Sequence, residues 1–171
     1  SFFGNISYFA NDTVYISQTG SSMDELETCI DACPLDDSAC TGITASSELL
    51  AHRDIYSCGS NRAILHGHPK FSVIMSMLCF EQGCKNRGEC HIKCDKPRFV
   101  GDIPVIPGEV GSGPRGLSNT LPPAVLGRRG AIVYGHGVFT VGTKDFRDAF
   151  ANLAEIETMC RNAYLNLISG S

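Results

Sequence analysis

Three histidines beside glycines at the ends of short apolar runs are the residues best placed for chemistry in this chain. His66-Gly67-His68 follows Ala63-Ile64-Leu65 and precedes Pro69, and Tyr134-Gly135-His136-Gly137 follows Ala131-Ile132-Val133. In a strand, side chains at i and i+2 leave the same face, so a strand ending at 65 aims His66 and His68 in one direction. Neutral imidazoles are good zinc ligands, and a glycine between or beside them permits close approach of the backbone. The chain has five histidines, and three of them occupy these positions. That concentration points to a metal centre.

A second group is sulfur-based. Cys79, Cys84, Cys90 and Cys94 follow the pattern C-x4-C-x5-C-H-x2-C in a cysteine-rich loop over 79–98, with Gly83 and Gly88 available for turns. The spacing differs from paired CxxC knuckles. It is compatible with a second metal or iron–sulfur cluster, with redox-labile disulfides, or with inert thiols. His91 reads as part of this loop. Cys29, Cys33, Cys40, Cys58 and Cys160 are scattered, and buried thiols are their simplest reading. Nine cysteines is an odd number, and no secretory signal pattern opens the chain, so reduced thiols in a cytoplasm are expected.

The composition sets the frame for both groups. With 171 residues and 43% hydrophobic content, the chain has the size and apolar content of one folded domain over 1–171. A net charge of −4 argues against a nucleic-acid partner. No apolar run approaches the roughly 20 residues of a membrane-spanning helix. The chain opens on Ser1-Phe2-Phe3-Gly4 without Met and already strand-like, which reads as a domain lacking its N-terminal segment.

The elements that must position the histidines follow from periodicity. Strands are expected at 4–9 and 12–17 around a turn at Asn11-Asp12, at 61–65, at 102–106, and at 130–134 and 138–142 on either side of His136. Pro104 suggests that the 102–106 strand is an edge, or that the proline lies near a strand end. Helices are expected from Ser46 to about Tyr56, over 69–78, over 118–127 and over 145–167. The last carries Phe146, Phe150, Leu153, Ile156, Cys160, Tyr164 and Leu167 at spacings of three or four. Residues 28–41 read as irregular surface, and 108–116, with four glycines and Pro114, as a mobile or tightly turned loop. His52 and Arg53 read as part of a solvated helix face. Irregularly alternating strands and helices favour a sheet covered by helices.

Taken in order, Gly4-Asn5-Ile6-Ser7, Thr19-Gly20-Ser21, Ser46-Ser47-Glu48, His66-Gly67-His68 and Tyr134-Gly135-His136-Gly137 resemble the class II aldolase/adducin family. That family includes fuculose-phosphate and rhamnulose-phosphate aldolases and ribulose-phosphate 4-epimerase. The likeness runs from Gly4 to about Tyr164. It implies a three-layer α/β/α sandwich around a mixed, mainly antiparallel sheet, assembled as a homotetramer with active sites at subunit interfaces. It also implies that His66, His68 and His136 hold Zn2+ or another divalent metal, and that Glu48 is the acid/base carboxylate. Gly4, Asn5, Thr19, Gly20, Ser46 and Ser47 match positions that hold the substrate phosphate. Hydroxyls and backbone N–H groups at a helix start suit that task.

The implied reaction is a zinc-dependent retro-aldol cleavage of a phosphorylated ketose or similar small sugar phosphate, through an enediolate that the metal stabilises. A 4-epimerase, dehydratase or decarboxylase would use the same site. A non-catalytic adducin-like interaction domain is the alternative of another class, and retention of all three histidines and Glu48 argues against it. Three departures matter. The position of a family tyrosine that assists protonation is Gly108, followed by Glu109. The epimerase's acidic partner has no clear match, with Asp95 and Asp102 the nearest carboxylates. The cysteine-rich loop is an elaboration that the well-known aldolases lack.

Overall fold

The computed structural model describes residues 4–38, 42–80, 83–94, 96–109 and 111–170. Cys40, Asp95 and the opening residues 1–3 lie outside that set, as does the His91 side chain. The element order is β1 (Asn5–Ala10), β2 (Thr13–Ser17), β3 (Ile30–Pro34), α1 (Leu49–Ser57), β4 (Ala63–Gly67), α2 (Lys70–Met77) and α3 (Cys90–Lys93). It continues with β5 (Arg98–Val100), β6 (Ile103–Ile106), α4 (Leu117–Val125), β7 (Gly130–Val133), β8 (Gly137–Gly142) and α5 (Phe146–Ser169).

The strands form one mixed sheet in the order β3-β2-β1-β4-β8-β7-β6-β5. β6 and β7 run parallel, and the other neighbouring pairs are antiparallel. A parallel pair needs a crossover, which α4 supplies. Between β1 and β2 the expected turn is present. Asn11 (φ 50°) and Asp12 (φ 57°) both adopt the left-handed region that a two-residue hairpin turn demands.

Strand alternation sorts the core into two layers. On one face Ile64, Ala131, Val133 and Phe139 pack with Ile55 of α1 and Leu121 of α4. On the other, Ile132 and Val138 pack with Ile156 and Cys160 of α5 and with Phe71 and Met75 of α2. Ile132, Val138, Phe139 and Ile156 are fully buried. Burying a side chain of this size contributes roughly 1.5–3 kcal/mol, so both layers are needed. The result is the three-layer α/β/α sandwich expected.

The boundaries depart from expectation in four places. Residues 30–34 are a strand, β3, on the sheet edge beside β2. Only Cys33 of its five residues is buried, so no apolar pattern announces it. β5 begins at Arg98, which ends the cysteine loop at Pro97, and α3 lies inside that loop. β6 is internal because β5 covers it, and Pro104 sits near its start, one residue before the ladder to β7 begins at Val105. In α5 the buried stripe is Ala149, Ile156 and Cys160, whereas Phe150 is 63% exposed and Leu167 42%.

α5 starts at a side-chain cap. Asp145 Oδ1 accepts the Arg147 and Asp148 N–H groups at 2.8 and 3.3 Å, satisfying two otherwise orphaned donors. No helix among the described residues is long and apolar enough to cross a membrane.

Candidate metal centre and active site

β4 and the β7–β8 turn bring the three histidines together. His66 lies one residue before the end of β4, opposite Asn5 of β1 and Phe139 of β8, and its ring stacks on Phe139 with centroids 4.0 Å apart. His66 Nδ1 lies 3.0 Å from the Val138 carbonyl oxygen. A carbonyl can only accept, so Nδ1 carries the proton and the Nε2 lone pair is left for another partner. His68 Nε2 sits 2.9 Å from His66 Nε2. His136 closes the triangle, with ring centroids 4.9 Å from both His66 and His68. One nitrogen from each ring falls within 4.8 Å of the other two.

Glycines and α2 make this convergence possible. Gly4 holds φ 105°, and a Cβ there would collide with the His66 carbonyl oxygen. A Cβ on Gly137 would lie 2.7 Å from His68 Cδ2, which no real side chain tolerates. α2 follows His68 directly through Pro69. Its first amides are capped from α5, where Glu157 accepts Phe71 N–H at 2.7 Å, Ser72 N–H at 2.8 Å and the Ser72 hydroxyl at 2.7 Å. Near its other end, Ser76 Oγ accepts the Gly135 N–H at 2.8 Å and donates to the Val73 carbonyl. One helix thus anchors both histidine turns. Neither Glu157 nor Ser76 belongs to a recognisable motif; each works across a sequence separation of 59 to 86 residues.

Glu48, the cap of α1, is buried against this triangle. Its Oε1 is 3.8 Å from His136 Nε2 and its Oε2 is 3.8 Å from His66 Nε2. Asn5 Nδ2 donates to Oε2 at 2.6 Å. Burial raises the Glu48 pKa, and the Asn5 bond opposes that rise. All three imidazoles shift down, each chiefly by burial, His66 and His136 also through neighbouring histidines. Three imidazoles kept neutral, with converging lone pairs, have the donor chemistry of a three-ligand site open to a fourth partner. The residues fit a divalent ion.

The six residues expected at a phosphate divide into two groups. Gly4 and Asn5 lie against β4, where Asn5 faces Glu48, and Asn5 Oδ1 is buried with no hydrogen-bond partner among the described residues. Thr19 and Ser46 are zipped into neighbouring segments. Thr19 N–H donates to the Thr44 carbonyl and Ser46 N–H to the Ser17 carbonyl, at 2.9 and 3.0 Å. The Thr19 hydroxyl donates to the Ala45 carbonyl at 2.9 Å, and Ser46 Oγ accepts the Glu48 N–H at 3.3 Å. Gly20 and Ser47 are exposed beside them. Gly108 is pressed against the Tyr134 carbonyl, where a Cβ would come within 2.7 Å. The four loop cysteines line one cavity, but among the described residues the histidine triad is the group gathered at ligand distance.

His52 and Arg53 correct the expectation of a solvated face. Arg53 is 8% exposed and its Nη1 reaches Asp37 at 2.5 Å. His52 is fully buried, with Nδ1 2.6 Å from Ser7 Oγ, which lies 2.7 Å from the Tyr56 hydroxyl. The signal was its position four residues after Glu48, on the same side of the helix. Burial pushes the His52 pKa down to about 3. An unfolded histidine binds its proton near pH 6.5, so the unfolded state takes up more protons below that value. Stability is therefore expected to be full above pH 6.5 and to fall by about 1.4 kcal/mol per pH unit as the pH drops toward 3. Urea titrations of the parent and a His52→Leu variant measure this. A variant with the same acid slope as the parent would refute it.

The sequence pattern of the class II aldolase and adducin N-terminal domain family matches residues 1–164. The chain belongs to that family. Among solved structures, L-fuculose-1-phosphate aldolase from Thermus thermophilus superposes with a TM-score of 0.76 at 22% identity, covering 99% of this chain and 86% of that one. YgbL from Klebsiella pneumoniae, described as a putative aldolase/epimerase/decarboxylase, gives 0.73 at 22%, with 96% and 79% covered. A sugar-phosphate aldolase from Thermotoga maritima gives 0.64 at 18%, with 98% and 87% covered. At these identities the likeness shows the class II aldolase fold. No curated protein matches the chain.

Proposed function

We propose that this class II aldolase family member is a divalent-metal-dependent lyase that splits a phosphorylated ketose by a retro-aldol step. The observation that carries the reading is the convergence of His66, His68 and His136 with buried Glu48 held 3.8 Å from two of them. His66, His68 and His136 would hold the ion, with zinc the expected metal for an all-imidazole set. When bound, it supplies Lewis-acid polarisation of the substrate's oxygens. Glu48 takes and returns the proton. A carboxyl raised by burial lies nearer neutral pH, where acid/base transfer is most efficient. Asn5 orients it from one side, and the unpartnered Asn5 Oδ1 accepts a donor from the bound molecule.

The phosphate would lie by the Thr19-Gly20 and Ser46-Ser47 segments, where Gly20 leaves the backbone open. Gly108 offers no side chain where related enzymes carry a tyrosine, so protonation of the product falls to Glu48 or solvent. A homotetramer in a reducing cytoplasm completes the reading: exposed apolar residues such as Phe150 and Leu167 on α5 are available to a second copy, and the free cysteines suit a reducing environment.

A panel of phosphorylated ketoses, with products resolved by mass and NMR, tests the assignment. Release of a triose phosphate and an aldehyde is the expected result. A rearranged or dehydrated product would assign the site to epimerisation or dehydration instead. No turnover of any substrate by the metal-loaded protein would overturn it.

A further inference from the structure

We propose that Cys79, Cys84, Cys90 and Cys94 close around a single thiophilic divalent ion, a structural clasp separate from the histidine site. All four side chains line one cavity of about 300 Å³ between the end of α2 and β5. They come from sequence positions 15 residues apart at most, so closure costs little loop entropy.

The local backbone brings the four cysteines to one cavity without yet drawing their sulfurs together. Cys79 follows α2 by two residues. Cys84 lies between Gly83 and Gly88, whose φ values of 72° and 93° reverse the chain on either side of it. Both angles are strained for any residue with a Cβ, so these glycines serve the turns. Cys90 and Cys94 open and cap the single turn of α3, at the i,i+4 spacing that puts two side chains on one face. None of the four is in a disulfide; Cys90 is buried, Cys84 and Cys94 half-buried and Cys79 exposed, and the Cys90 and Cys94 thiols donate to the Asn86 and Lys96 carbonyls until a metal displaces those protons.

The surroundings suit a thiolate-bound cation. Residues 79–98 hold five Lys or Arg against three Asp or Glu, in a chain that is acidic as a whole. Four thiolates on one divalent ion carry roughly two net negative charges, which that local excess offsets. Arg98 also lines the cavity. Four sulfur donors favour zinc or an iron–sulfur cluster over harder ions. The C-x4-C-x5-C-x3-C order matches neither common ferredoxin spacing, which favours the single ion. Unlike the imidazoles, the sulfurs are not already drawn to ligand distance. A small loop of this kind closes on its metal, and binding supplies the ordering free energy.

The clasp would act on the neighbouring site through backbone contacts. Arg98 Nη2 donates to the carbonyls of Ser76 and Leu78, each at 2.7 Å, and its guanidinium lies 5.5 Å from the Tyr134 ring centroid. Ser76 holds Gly135 next to His136. Arg115, from the glycine-rich loop, donates to the Cys94 carbonyl at 2.8 Å. Closing the cysteines therefore fixes the segment that supports the His136 turn.

Metal analysis with cobalt substitution tests this without reference to turnover. The purified full chain is expected to hold two ions. Its cobalt form should show thiolate-to-cobalt charge-transfer absorption that persists in His66→Ala/His68→Ala. Cys84→Ser/Cys90→Ser should lose one ion per chain and that absorption, whereas Cys58→Ser keeps both. Because the loop variant can misfold, the unmodified protein supplies a second measurement. Besides the buried Cys33 and Cys160, the four loop thiols should resist a disulfide reagent until a mercurial releases one zinc per chain. The proposal is overturned by absent charge transfer, by loop thiols that react without metal release, or by disulfide-linked loop peptides. Iron with acid-labile sulfide would overturn the single ion in favour of a cluster. An ion lost only with the histidines leaves the triad reading intact and removes this one.

Discussion

His66→Ala/His68→Ala is expected to lose the histidine-bound ion and all measurable turnover together. The triad gathers its ligand nitrogens within 4.8 Å, and removing two leaves a single imidazole, His136, which is 26% exposed. Loss of residues that merely orient ligands weakens metal affinity about 10–100-fold, so losing two ligands should exceed that range. His66 also stacks on Phe139, so the double variant loses core packing as well as a ligand. His136→Asn separates the two effects, because that residue lies on a turn and its removal opens little core. Both variants should lose one ion per chain by elemental analysis, with His136→Asn keeping the thermal stability of the metal-free parent. Retention of the full metal content in the double variant would sink the ligand assignment.

Glu48→Gln should lower kcat by roughly 10²- to 10⁴-fold while the ion stays bound, the range expected for removal of a positioned acid/base group. Glutamine preserves the shape and can still accept the Asn5 amide bond that measures 2.6 Å to the carboxylate. What it cannot do is take a proton. The stability effect should run the other way. Burial raises the Glu48 pKa, so keeping this carboxylate ionised costs the metal-free fold stability. A neutral amide removes that cost, and the melting temperature of the metal-free protein should hold or rise. This is the signature of a site that gives up stability for function. Full activity in Glu48→Gln, with metal content unchanged, would remove Glu48 from the mechanism.

Much of the candidate site was readable because its chemistry sits at strand ends. Period-two alternation aimed His66 and His68 together, and the flanking glycines marked tight backbone approach. The strands holding them are apolar, hence visible. β3 was not, since an edge strand with one buried residue has no pattern to read. The surface reading of His52 failed for a related reason. A polar helix residue looks solvated unless one knows that Ser7 and Tyr56 wait opposite it.

Residue type and spacing alone determined the candidate donor set of this protein: three imidazoles and one carboxylate in the order of its family, and four clustered thiols besides. Those are local properties, carried by chemistry and by backbone periodicity. Tertiary structure decided which of them meet. It turned Asn5 toward Glu48, gathered three imidazoles from two distant turns, and tied those turns to one helix through Glu157 and Ser76. Contacts across 40 to 90 residues depend on how the sheet is ordered and how the helices pack on it, and no local pattern encodes that.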